Sequence, residues 1–238
     1  MTLLAKNKEE VTLDDLRKIP LPEPTESYKP VGHYDLIFNI AGIADNILNE
    51  YELTRKSFGT ARNGNQMFGV LTYNNQQASE DDLGLSIGFR NSYDKSMSVG
   101  ICIGASVLVC DNMVFQGEIT VLRKHTKNVW ESLRDMAITT IYQSQTKFSQ
   151  LTNQIESLKD QRITDRQAFQ TMGLLYGKDV ISTRQLPRVK REWTEPSYEQ
   201  FEPRTMWSLY NAITEALKTS PPSKIMERHI NLHEELLN

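Results

Sequence analysis

A helical period that runs from Thr126 to Asp160 is the first constraint on how this chain can fold. Trp130, Arg134, Ala137, Ile141, Ser144, Phe148, Leu151, Ile155 and Leu158 alternate by four and three, a heptad seam with two polar intrusions. A helix of that length spans roughly 50 Å at 1.5 Å per residue. Strands are usually about 20 Å long. Such a rod overhangs any small sheet it covers. Its far half is therefore expected to pack on C-terminal helices or on another subunit.

Four strand-like runs lead into it: Gln66 to Tyr73, Leu83 to Arg90, Met97 to Cys110 and Met113 to Leu122. Polar connections such as Ser79-Glu80-Asp81-Asp82 favour an antiparallel meander. Gly100 and Gly104 predict a bulge or bend in the third run. Upstream, Leu36, Ile40, Ile43, Ile47 and Leu48 give His33 to Leu53 a helical reading. Met1 to Pro30 reads as an arm, with Thr12 capping a short amphipathic piece and Pro20, Pro22, Pro24 and Pro30 enforcing an extended path. It is expected to cross the domain or a neighbouring subunit. After the long helix come a helix over Arg166–Tyr176 stopped near Gly177, a basic loop or short helix over Ser182–Arg191, and helices over Met206–Lys218 and Lys224–Leu237. The fold class is α+β: an antiparallel sheet of about four strands packed on a long helix, with a helical C-terminal part. The expected division is an extended arm (1–30), an α+β core with the long helix (31–165) and a helical C-terminal part packed on the core (166–238).

Within this frame, Gly88 to Glu118 reads as strand, turn, long strand, turn, strand, with polar residues at the corners. The order Asn91-Ser92-Tyr93-Asp94, a β-rich run, Val109-Cys110, Asn112, then Gly117-Glu118 resembles the phage/plasmid-like proteins grouped as domain of unknown function 932. Tyr176-Gly177, Trp193 and Trp207-Ser208-Leu209-Tyr210 are similar to cryptic-prophage members of that family. The resemblance covers most of the chain beyond Asn63. It implies a mobile-element origin and residence in the cytoplasm of the host cell, and it implies no activity. The family usually has glycine after the aspartate of the first motif. Here Lys95 stands there, a residue that adopts positive φ only at a cost. Asn91, Ser92, Asp94, Cys110 and Asn112 read as structural, the amide and carboxylate side chains bonding their own backbone at turns.

The net charge of −3 conceals an uneven distribution. Met1 to Val121 carries 10 basic and 16 acidic residues, Leu122 to Arg191 carries 13 and 6, and Glu192 to Asn238 carries 4 and 8. A basic middle between acidic flanks is the footprint of a local polyanion site, or of a long solvated helix. Arg188, Lys190 and Arg191 precede Trp193, and cations with a ring beside them can track phosphates and stack on unpaired bases. Arg123, Lys124 and Lys127 lie where the last strand enters the long helix. If the two groups converge they form one groove. These seven residues are the candidate nucleic-acid contacts.

Other constellations carry less. Cys102 and Cys110 are expected to be buried free thiols. His229 and His233, four apart on the last helix, lack further ligands and are expected to be exposed. No phosphate-binding glycine loop, activated-serine motif or His-Glu-x-x-His occurs. No catalytic residue, metal or cofactor is expected. No apolar run is long enough to span a bilayer, and the N-terminus is too charged for a secretion signal. The expectation is a non-enzymatic protein that binds nucleic acid, single-stranded DNA above all, and forms a homo-oligomer. Its layout, a sheet backed by a long helix with a basic edge, is also the general plan of phage single-strand annealing proteins. The alternative is a protein-binding module, an inhibitor of host defence or an assembly subunit with a host or phage protein as partner.

Overall fold

The structure, a computed structural model, describes residues 9–75, 83–107 and 112–237. Its strands are β1 (Glu9–Glu10), β2 (Tyr51–Ala61), β3 (Gln66–Asn75), β4 (Leu83–Ser92), β5 (Val99–Val107) and β6 (Asn112–Arg123). They form one antiparallel sheet in chain order. The helices are α1 (Leu13–Lys18), α2 (His33–Ile47), α3 (Val129–Asp160), α4 (Asp165–Gly177), α5 (Leu186–Thr194), α6 (Met206–Leu217) and α7 (Pro222–Leu237). The mixed α+β class and the meander stand as expected.

Strand periodicity gives the sheet two different faces. Met67, Leu71, Leu85, Ile87, Phe89, Ile101 and Ile103 point to the layer of α2 and the first half of α3, where they meet Leu36, Ile40, Leu133 and Ala137. The alternate residues Phe68, Val70, Cys102, Met113 and Phe115 meet Ile225 and Met226 of α7 on the other side. The second half of α3 runs on past the sheet. Leu151, Ile155 and Leu158 enter a third cluster with Leu175, Trp193, Tyr210 and Ile213 from α4, α5 and α6.

Several expectations need correction. The strand number is five long strands plus a two-residue edge, not four. The helix read over His33–Leu53 ends at Ile47, and the chain turns into β2 at Tyr51. This strand went unread because Glu52, Thr54 and Lys56 face solvent while their neighbours are only half-buried, so its first half lacks an apolar stripe. In α3, Trp130 and Arg134 are exposed, and the buried positions of the first turns are Val129 and Leu133. From Ala137 onward the seam is covered by the chain's own sheet and helices. It therefore offers no support for self-association through α3. The arm lies on its own domain: β1 pairs with β2, Leu16 is in the core, and Thr12 and Asp15 close a capping box on α1. His229 and His233 are buried, with His229 Nδ1 2.9 Å from the Met113 carbonyl.

The bend expected in the third run is present. The β5–β6 register shifts between Cys102 and Gly104. A Cβ on Gly104 would lie 2.0 Å from the Val114 carbonyl oxygen, so this close approach requires glycine. Cys102 is buried and free, and burial pushes its thiol far above the usual range. Cys110, the second expected thiol and a motif residue, lies outside the described residues. No helix among the described residues is long and apolar enough to cross a membrane.

Candidate functional site at the motif turn

The motif Asn91-Ser92-Tyr93-Asp94 ends β4 and builds the corner where the sheet, the arm and the start of α2 meet. Asn91 is fully buried. Its amide nitrogen donates to the Val31 carbonyl at 2.6 Å and contacts His33 Nδ1 at 3.0 Å. His33 Nε2 lies 2.9 Å from the Gly64 carbonyl. One tautomer satisfies both contacts: Nε2–H donates to the carbonyl and Nδ1 accepts from the amide. Burial lowers the His33 pKa to about 4, so the ring is neutral over most of the working range.

Tyr93 stacks on that imidazole, with ring centres 3.9 Å apart and planes within 5°. Its hydroxyl oxygen accepts the backbone N–H of His33, the first residue of α2, at 2.9 Å. The Tyr28 hydroxyl from the arm donates to the Tyr93 carbonyl at 3.3 Å. Ser92 closes the turn, its Oγ donating to the Met97 carbonyl and accepting the Met97 N–H. Asp94 Oδ1 accepts from the Ser96 N–H and hydroxyl, and Oδ2 accepts from Arg62 and Gln66. Burial pushes this carboxyl up, but those hydrogen bonds outweigh it and hold it below the usual carboxylate range.

The structural reading of the motif thus holds at this corner in a different form. Asp94 bonds its own turn as expected. Asn91 bonds across 60 residues to the entry of α2, and Asn112 bonds Asn211 of α6 at 3.0 Å, so neither serves a local turn. Lys95 has φ +62°, the left-handed region that favours glycine. Its ammonium sits 4.6 Å from the centre of the Tyr28 ring.

Beside this corner opens a cleft of about 420 Å³. Lys95, Lys124, Ser27, Ser96, Ser98 and Thr126 give it polar walls, and Tyr28, Met97 and His125 complete the lining, which contains no carboxylate. The residues come from the arm, the motif turn and the β6–α3 junction. Lys29 N–H donates to the His125 carbonyl and ties the arm to that junction. His125, 7% exposed, tilts against Tyr28 with ring centres 5.4 Å apart. Neither of its ring nitrogens has a well-formed hydrogen bond. Burial lowers its pKa, and nearby backbone groups of Lys29 and Met97 pull the other way.

The seven expected nucleic-acid contacts divide into two separate places. Lys124 lines the cleft, and Lys127 is exposed just beyond it. Arg123 is half-buried, with Nε donating to Ser132 Oγ at 2.7 Å and Nη1 to the Leu122 carbonyl. Arg188, Lys190, Arg191 and Trp193 belong to α5, at the other end of β6, where Asn112, Glu192 and Glu215 line one small cavity. Eleven residue steps of strand lead from Asn112 to Arg123, roughly 36 Å at 3.3 Å per step. The two groups do not converge.

The α5 group also departs from its expected role. Trp193 is 1% exposed, donates from Nε1 to Asp165 at 3.0 Å and lies under the Arg204 guanidinium, so its ring is not available to a base. Arg188 pairs with Glu215 at 2.7 Å, and Arg191 contacts Glu192 at 3.5 Å. Lys190 alone of the four is exposed without an ion pair among the described residues. Tyr28, His33, Lys95 and His125 were not read as site residues. They have no local partner pattern, and only the meeting of three distant segments gives them meaning.

A six-stranded antiparallel meander with helices on both faces, pinned at one corner by a buried Asn–His–Tyr network, defines the class of protein. The chain belongs to the family described as domain of unknown function (DUF932), whose family model matches residues 25–237. That span takes in every residue of the motif corner and its cleft. No curated protein and no solved structure matches the chain.

Proposed function

We propose that this protein binds single-stranded nucleic acid, DNA in the first instance, as a non-enzymatic component of a phage or other mobile element acting in the host cytoplasm. The observation that carries this reading is the cleft at the motif turn: two ammoniums and the hydroxyls of Ser27, Ser98 and Thr126 on its walls, the Ser96 hydroxyl being held by Asp94, and no carboxylate in its lining. Phosphates are the ligands for which such a lining is selective. Lys127 extends the cationic surface along the start of α3. Trp130, in the first turn of α3, lines with Phe38, 61% exposed, a groove of about 840 Å³ between α2 and α3. Exposed rings beside a cationic cleft are the combination that holds unpaired bases without sequence preference.

The test is the salt dependence of binding to a labelled single-stranded oligonucleotide. Wild-type affinity is expected to fall steeply with salt. Lys95→Gly, Lys124→Ala and Lys127→Ala together are expected to flatten the log–log slope by roughly two, about 0.7 for each lost phosphate contact. A wild type that binds no oligonucleotide in a salt-dependent way sinks this reading. The protein-binding alternative then takes its place, with the mixed apolar and charged α2–α3 groove as its surface.

A further inference from the structure

We propose that the outer face of α4 is the contact surface of a homodimer, in which two copies of α4 pack antiparallel about a two-fold axis at Gly173. α4 turns Ala168, Met172 and Leu175 into the core. Its other side leaves large apolar side chains in solvent: Phe169 is 43% exposed, Leu174 53% and Tyr176 45%. No other helix of comparable length among the described residues exposes three. At helical spacing Phe169 and Tyr176 lie along one flank of this face and Leu174 along the other, with Gly173 and Gly177 between them.

Those glycines have no explanation within the chain. Glycine is the poorest helix former after proline. A Cβ at either position would meet nothing within 4 Å. Neither has positive φ, and the left-handed residue that follows the helix is Asp179, at +59°. The stop expected at Gly177 is therefore not a left-handed cap. What the two glycines supply is shape, a low strip of backbone between apolar flanks that lets another chain approach closely.

The spacing identifies that chain. About a two-fold at Gly173, each residue faces the one equally far on the other side in the second copy. Phe169 then meets Gly177, and the pairing occurs twice. Each ring enters the gap left by a missing side chain, and Gly173 meets its own copy where the helices cross. Charge agrees with shape. Arg166 stands in the first turn of α4 and Asp179 just past its end, each where the helix dipole disfavours its sign. Both are exposed, and neither makes an ion pair among the described residues; Arg228 feels Asp179 without contact. In the antiparallel pair Arg166 of one copy comes level with Asp179 of the other, again twice. One short helix from each copy makes a small interface, so the dimer is weak and reversible, with a dissociation constant on the order of 10 μM.

Sedimentation equilibrium of the full chain from about 1 to about 200 μM tests this. The wild type is expected to pass from monomer to dimer across that range. Gly173→Glu places two like charges on the axis and should weaken association about tenfold or more. Its side chain stands in open space in the single chain, so its melting temperature should be unchanged or higher. Arg166→Glu and Asp179→Lys should each weaken pairing, because each brings like charges together at both contacts. An equimolar mixture of those two variants regains opposite charges at both contacts and should dimerise again. A dimer as tight in Gly173→Glu as in the wild type overturns the inference, and so does a mixture that stays monomeric where the wild type pairs. A wild type that is monomeric throughout also overturns it and leaves the face of α4 to a helix of another protein.

Discussion

His33 shows how one residue couples stability to pH. Its ring is fully buried, stacked on Tyr93 and bonded at both nitrogens, and its pKa falls from 6.5 to about 4 on folding. Below about pH 6.5 the unfolded chain takes up a proton on this ring, while the folded chain does not until about pH 4. The unfolded state therefore binds more protons in that window, and stability falls as pH falls through it. The full effect is on the order of 3 kcal/mol at most. His233, also buried and lowered to about 4, acts in the same direction. Urea midpoints are expected to drop between pH 7 and pH 4.5. His33→Gln should be less stable at pH 7 but show a flatter dependence. An unchanged slope in that variant would remove His33 from the account. The motif residues around this ring were legible in the sequence as a set, but their roles were not. Asn91 was read as a turn residue because asparagine near a turn usually bonds locally, and its true partners lie 58 and 60 residues away.

At the scale of elements, α3 was the most legible part and also carried an instructive error. Its length and its apolar positions from Ala137 to Leu158 are as the period implied. The first two seam positions were misplaced because Trp130 and Arg134 fit a strict heptad, while a straight helix drifts against that repeat and turns Val129 and Leu133 inward. The coverage of the far half could not be read locally, since it depends on α4, α5 and α6 folding back onto it. Ile155→Ala is expected to cost about 2–5 kcal/mol, as for other large-to-small changes in a closed core. Trp130→Ala, on the groove, should shift the denaturation midpoint little. Equal and small losses for both would mean that the far half of α3 is not covered within the chain. β2 was missed because a strand with a polar, half-exposed first half shows neither period, and only its pairing with β3 along its whole length identifies it.

At the scale of the whole molecule, charge excess in the sequence and charge availability in the fold prove to be different quantities. The excess between Leu122 and Arg191 is real, but it lies before and after α3, which itself carries three basic and four acidic residues, and Glu215 of α6 neutralises part of it. Arg188 is the clearest case. Its guanidinium is 2.7 Å from Glu215, a buried carboxylate that also pairs with Lys218 at 2.5 Å. Removing one member of such a buried set leaves charge uncompensated, and fully breaking a buried pair costs about 3–5 kcal/mol. With Lys218 still in place the loss should be smaller, about 1–3 kcal/mol. Arg188→Ala is therefore expected to lower stability while leaving the salt dependence of oligonucleotide binding unchanged. The cleft variants should do the reverse. Denaturant titration and binding titrations across a salt series, run on both sets, separate the two ends of β6. A flattened salt slope in Arg188→Ala at intact stability would restore α5 as the phosphate-contacting surface and displace the cleft from that role.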